Sequence, residues 1–84
     1  MSYAELDIIR TTGPLTVTDD GATFHLPIGA EGTIVYVHAQ GAAYEVEFLI
    51  SSGSYGSAGE ILENPVWCLA TLTPDQITPG IPDV

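Results

Sequence analysis

Apolar and polar residues alternate with a period of two along most of this chain, which is the pattern of strands that bury one face, and helical spacing is nearly absent. The clearest run is Leu15–Leu26 (LTVTDDGATFHL). Its centre, Asp20-Gly21, suits a two-residue type I′ turn, because both central positions of that turn need φ > 0. With Asp19 set opposite Ala22, Val17 meets Phe24 and Leu15 meets Leu26, while Thr18/Thr23 and Thr16/His25 share the other face. Both arms alternate in step, so a β-hairpin in that register is expected.

The rest of the chain reads as further short strands. Leu6–Thr12 is β-branched and stops at Gly13-Pro14. Pro27–Gly32 is a turn-rich connector into Thr33–His38, and Gln40-Gly41 marks a second tight turn. In Tyr44–Ile50, the residues Tyr44, Val46, Phe48 and Ile50 face one way and Glu45 and Glu47 the other. Ser51–Gly59 (SSGSYGSAG) reads as a small, polar, flexible loop. A strand returns at Ile61-Leu62, is interrupted at Asn64-Pro65 and resumes over Val66–Leu72. Thr73 before Pro74 starts one short helical or 3-10 turn over Thr73–Ile77. Residues 79–84 carry two prolines and are expected to form a mobile tail on a single domain of residues 1–78. Five to six short strands with tight turns and almost no helix predict an all-β fold, a small barrel or sandwich.

Two strands are apolar on both faces. In Thr33–His38, Ile34 and Tyr36 point one way and Val35 and Val37 the other. In Val66–Leu72, Val66, Cys68, Ala70 and Leu72 oppose Trp67 and Leu69. Such strands need cover on both sides, and the chain has no long helix to supply it. A homo-oligomer is therefore expected. Replacing Val37 or Leu69, whichever faces outward, with Asp should dissociate it.

Composition sharpens the picture. A chain of 84 residues buries only about 60–65% of the surface it exposes unfolded, so 45% apolar residues is a surplus for a thin core. Eleven acidic residues stand against one arginine, Arg10, and no lysine, for a net charge of −10. Nucleic-acid binding rests on Lys and Arg neutralising phosphates, so no nucleic-acid partner and no anionic membrane surface is expected. The field favours a basic protein partner. The lone Cys68 closes no disulfide within the chain, the N-terminus lacks signal-peptide features, and no apolar run approaches the roughly 20 residues that cross a bilayer. A soluble, cytoplasmic protein is expected.

Candidate chemistry is sparse. His25, His38 and Cys68 fall on three different strands without metal-ligand spacing, so no metal and no cofactor is expected. Cys68 lies in an apolar run, where a thiol has a raised pKa and is a poor nucleophile. Asp19-Asp20-Gly21 lacks the spacing of a calcium loop and is explained by the hairpin tip. Glu45 and Glu47 could form a carboxylate pair, but a solvated strand face places them equally well, and Glu5 and Asp7 read the same way. The Ser51–Gly59 loop lacks the lysine and following helix of a phosphate-binding loop. The aromatics Tyr36, Tyr55 and Trp67 are candidate partner-binding residues, together with Val37 and Leu69.

Gly29–Val37 (GAEGTIVYV), Gly41–Phe48 (GAAYEVEF) and Leu69–Ile77 (LATLTPDQI), with the opening Leu6–Ile9 (LDII), resemble a family of short bacterial proteins. It is the domain-of-unknown-function family numbered forty-nine twenty-six. The resemblance covers roughly residues 5–12 and 29–78 and departs over 13–28, where the hairpin looks like an enlarged loop. It implies a small SH3-like β-barrel, similar also to nitrile hydratase β-subunits and KOW-type modules, with the 15–26 hairpin as an addition. It brings no catalytic residues. KOW-like relatives often bind RNA or ribosomal protein, which the missing basic residues argue against here. The expected function is a non-enzymatic, acidic, self-associating protein-interaction module, of which an inhibitor or antitoxin masking a basic partner is one form. The alternative is a small ligand-binding or enzymatic barrel with a pocket around Trp67, His38 and Tyr36.

Overall fold

The computed structural model describes residues 3–80. Along them run β1 (Ile8–Thr11), β2 (Leu15–Asp19), β3 (Ala22–Leu26), β4 (Glu31–His38), β5 (Ala43–Ser51), β6 (Ser54–Tyr55), β7 (Ile61–Glu63), β8 (Val66–Leu72), a 3-10 turn (Pro74–Gln76) and β9 (Ile77–Pro79). The fold is all-β. The hairpin forms in the expected register, with Val17 opposite Phe24, Leu15 opposite Leu26 and Asp19 opposite Ala22. Asp20 and Gly21 both take positive φ, 50° and 80°, as a type I′ turn requires. The 3-10 turn begins behind Thr73, whose N–H donates to Gln76 Oε1 at 2.9 Å.

Five strands pair in the order β8-β5-β4-β1-β9, and β2-β3 and β6-β7 form separate two-stranded sheets. The five strands do not close on themselves: among the described residues β8 and β9 are the two edges of the sheet. Beside β8 lies the β2–β3 hairpin, and Asp19 Oδ2 accepts the Leu69 N–H at 2.9 Å. A side-chain bond thus stands where closure would need a backbone ladder. At the other edge β9 is three residues long and carries Pro79, which has no N–H to extend the ladder.

The core lies on one face of the sheet. Ile9, Ile34, Tyr44, Val46, Phe48, Cys68, Ala70, Leu72 and Ile77 fill it, and Val17 and Leu26 of the hairpin pack onto it. Thr11 is the buried polar residue among them; its hydroxyl donates to Pro27 O at 2.8 Å and accepts the Ala30 N–H at 3.0 Å. Gly32 lets β4 cross this core closely, since a Cβ there would stand 2.6 Å from Val46 Cγ1 and 2.8 Å from Phe48 Cε1.

Four expectations are corrected. A bulge between Ile34 and Tyr36 flips the phase of β4, so that Ile34 is buried, Val35 and Tyr36 are exposed and Val37 packs against the core. A second irregularity, between Leu49 and Ser51, turns Ile50 outward, away from Tyr44, Val46 and Phe48. The 51–59 segment is not featureless: Ser54 pairs with Glu63 and Tyr55 with Ile61, and the Gly56 N–H donates to Glu60 O at 2.8 Å. The domain runs past residue 78, because Pro79 pairs with Ile9 and the Gly80 N–H donates to Ile8 O at 2.9 Å. The rest of the expected tail, 81–84, lies outside the described residues.

Candidate functional site: the outer face of the sheet

Strand alternation sends every second side chain of β5 and β8 away from the core. On β5 these are Glu45, Glu47 and Leu49; on β8 they are Trp67, Leu69 and Thr71. The register sets them in rows: Tyr36 beside Glu45 beside Thr71, Thr33 beside Glu47 beside Leu69, and Leu49 beside Trp67.

One end of this face is polar. His38 Nε2 lies 2.9 Å from Glu45 Oε1, and the Thr71 hydroxyl donates to the same carboxylate oxygen. The Tyr36 ring meets the His38 ring edge-on, with centroids 4.7 Å apart. The Thr71 hydroxyl first, and then the hydrogen bond from His38, hold the Glu45 carboxyl below the usual glutamate range, against an opposing contribution from burial. The hydroxyl donates to the carboxylate rather than to the histidine, so the nucleophile–base–carboxylate order of an activated hydroxyl is not assembled here.

The other end is apolar and open to solvent. Leu49 is 47% exposed, Trp67 52% and Leu69 41%, and Ile50 and Val66 are exposed beside them. Single exposed apolar residues are ordinary; here several adjoin. Of the candidate residues, Trp67 and Leu69 come together here. Tyr36 shares the face but stands in the Thr71 row, four residues along β8 from Trp67, or about 13 Å at strand rise. Val37 points inward, and Tyr55 is exposed on the separate β6–β7 hairpin. Trp67, His38 and Tyr36 are thus not gathered around one pocket. One cleft, of about 480 Å³, is lined by residues that include Leu26, Pro27, Phe48, Leu49 and Ile50. Another, of about 320 Å³, separates Leu15–Thr18 from Leu69–Leu72. Leu49 was overlooked as a face residue, although its spacing from Glu45 and Glu47 already put it on their side.

Cys68 is buried, and burial first and the Asp19 charge second push its thiol pKa up. It faces the core, whereas His38 is on the outside and His25 pairs with Thr16 on the exposed face of the hairpin. Among the described residues no group of three or more His, Cys, Asp and Glu side chains is placed to hold a metal ion, and no helix is long and apolar enough to cross a membrane.

Fold and face together define an all-β domain with an outer surface part acidic and part apolar. Residues 5–63 match the family described as Domain of unknown function (DUF4926), and the chain belongs to that family. The match includes the hairpin segment 13–28 and stops short of the 69–77 ending. No curated protein and no solved structure matches the chain.

Proposed function

We propose that this protein is a non-enzymatic interaction module that binds a protein partner through the outer face of β5 and β8. The observation that carries the reading is the adjacency of Leu49, Trp67 and Leu69, all outward and open to solvent on neighbouring strands. Tryptophan is among the side chains that dominate interface energetics, because it buries a large, rigid area. The charge of −10 favours a basic partner, and masking a cationic protein, as an inhibitor or antitoxin does, is one form of the function.

A second reading is supported by β8 itself, whose seven residues carry no charge: two copies can meet there with their glutamates one strand away. Salt separates the readings. A complex with a basic partner weakens as salt rises, whereas a dimer of like-charged chains tightens. The test is affinity capture from source cells and sedimentation, each on wild type and on Trp67→Ser/Leu69→Ser, with circular dichroism to confirm folding. A folded double variant should lose the partner, the dimer or both. Unchanged binding and unchanged mass would overturn the assignment of this face.

A further inference from the structure

Within this face, Glu47 and Glu45 differ. Glu45 is held by Thr71 and His38. Glu47 is half-buried at the middle of β5, between Thr33 and Leu69, with Trp67 as a diagonal neighbour across the β5–β8 ladder. Its carboxylate has no side-chain hydrogen bond and no ion pair among the described residues. A carboxylate with no partner of its own, set beside apolar side chains, is free to meet a cation brought to it.

We propose that Glu47, Trp67 and Leu69 form a seat for an arginine or lysine side chain of a partner protein. The aliphatic stem lies on Leu69, the cationic head meets the Glu47 carboxylate, and the Trp67 ring offers its face to the cation. The inference rests on the outer face being the partner-binding surface, and it names what that surface selects. A second copy does not supply the cation through its side chains. The chain has one basic side chain, Arg10, and its guanidinium is engaged by Gly29 O at 3.0 Å, Glu31 Oε1 at 3.1 Å and Gly80 O at 3.3 Å. The occupant is therefore a different, basic protein.

Trp67 is the only tryptophan in the chain, so its fluorescence reports directly on the seat. The probe is an acetylated, amidated peptide of four Gly-Arg repeats, which has no aromatic residue to interfere. Titration into wild type should change Trp67 emission saturably, and the affinity should fall with added salt. Glu47→Gln should weaken binding about fivefold, as removal of one close charge pair does. Asp75→Asn removes the same charge beyond the Leu72 end of β8, in the 3-10 turn, and should leave affinity within about twofold of wild type, since exposed charges beyond a screening length of about 8 Å contribute little. Equal weakening by both variants, no weakening by Glu47→Gln, or no response of Trp67 would overturn the seat. A natural partner lost by Trp67→Ser/Leu69→Ser but kept by Glu47→Gln would overturn the seat and leave the face standing. A partner kept by all variants would overturn the face.

Discussion

Gly32→Ala sets two known effects against each other at one position. A glycine inside a strand is less stable than alanine by about 0.5–1 kcal/mol, so the substitution should help if space allowed it. Space does not allow it. The new Cβ would stand 2.6 Å from Val46 Cγ1 and 2.8 and 2.9 Å from two atoms of the Phe48 ring, well inside van der Waals contact. Val46 and Phe48 are fully buried, so neither can swing into solvent. Over-packing of this kind costs about 1–3 kcal/mol. It should outweigh the intrinsic gain and leave a net loss of about 1–2 kcal/mol. For a domain of this size that is a fall in Tm of roughly 5–15 °C. Urea and thermal unfolding followed by circular dichroism measure it. Val46→Ala in the Gly32→Ala background removes the clashing methyl, so the double variant should lose less stability than the sum of the single losses. A Gly32→Ala protein as stable as wild type would refute the account of how β4 crosses the core.

Other outcomes follow from the same contacts. Glu45 is depressed in the folded state, so its stabilising contribution is present above the ordinary glutamate range and is lost as pH falls through the lowered folded value. Urea midpoints from pH 7 to 3 should fall less steeply in Thr71→Val, which removes the largest cause; an identical slope would contradict that role for Thr71. The Cys68 thiol should label with a disulfide reagent only as the protein unfolds; labelling of native protein at the rate of a free thiol would show that the β8 core is open. If the chain self-associates, Leu69→Asp should dissociate it without loss of fold, whereas Val37→Asp should destabilise the fold itself, since Val37 packs against the core. Gel-shift titration at physiological salt should show no binding to DNA or RNA; micromolar affinity that falls steeply with salt would refute the charge argument.

How much of this was legible in the sequence depended on whether polar residues marked the phase of each strand. The 15–26 hairpin was readable in full register because threonines and aspartates alternate with its apolar residues and Asp20-Gly21 pins the turn. In Val35-Tyr36-Val37 no polar residue says which way the strand faces. The pairing with β5 decides it: Tyr36 takes Glu45 as partner and Val37 takes Tyr44, which leaves Val35 as the extra residue of a bulge. The same holds for Leu49-Ile50 before Ser51. Of the β6–β7 hairpin, β7 was legible at Ile61-Leu62, but β6 was hidden because it is two residues long in a Ser/Gly stretch with the composition of a loop. Closure of the sheet was not legible either, since it depends on what lies beside β8, a contact about 50 residues away in sequence at Asp19.

The outer face and the charge of the chain are linked by the same physics. An apolar stretch with Leu49, Trp67 and Leu69 in the open would ordinarily favour indiscriminate association, at about 25 cal/mol for each Å² of apolar surface removed from water. Two copies of this chain meet that attraction with a charge of −10 each, and acidic residues border the apolar stretch: Glu45 and Glu47 on β5, and Asp19, whose carboxylate accepts the Leu69 N–H. Repulsion of that kind acts over about a screening length, 8 Å at physiological salt, so it opposes close contact between like chains without reaching far into solution. A basic partner, as proposed, would experience the opposite sign: the acids that resist a second copy would draw it in, and the apolar surface would then hold it. Arg10 does not dilute this selectivity, because Glu31 and two backbone carbonyls occupy its guanidinium on the far side of β4. On the proposed reading, the excess of acid would both oppose association of like chains through an exposed tryptophan and favour a basic partner.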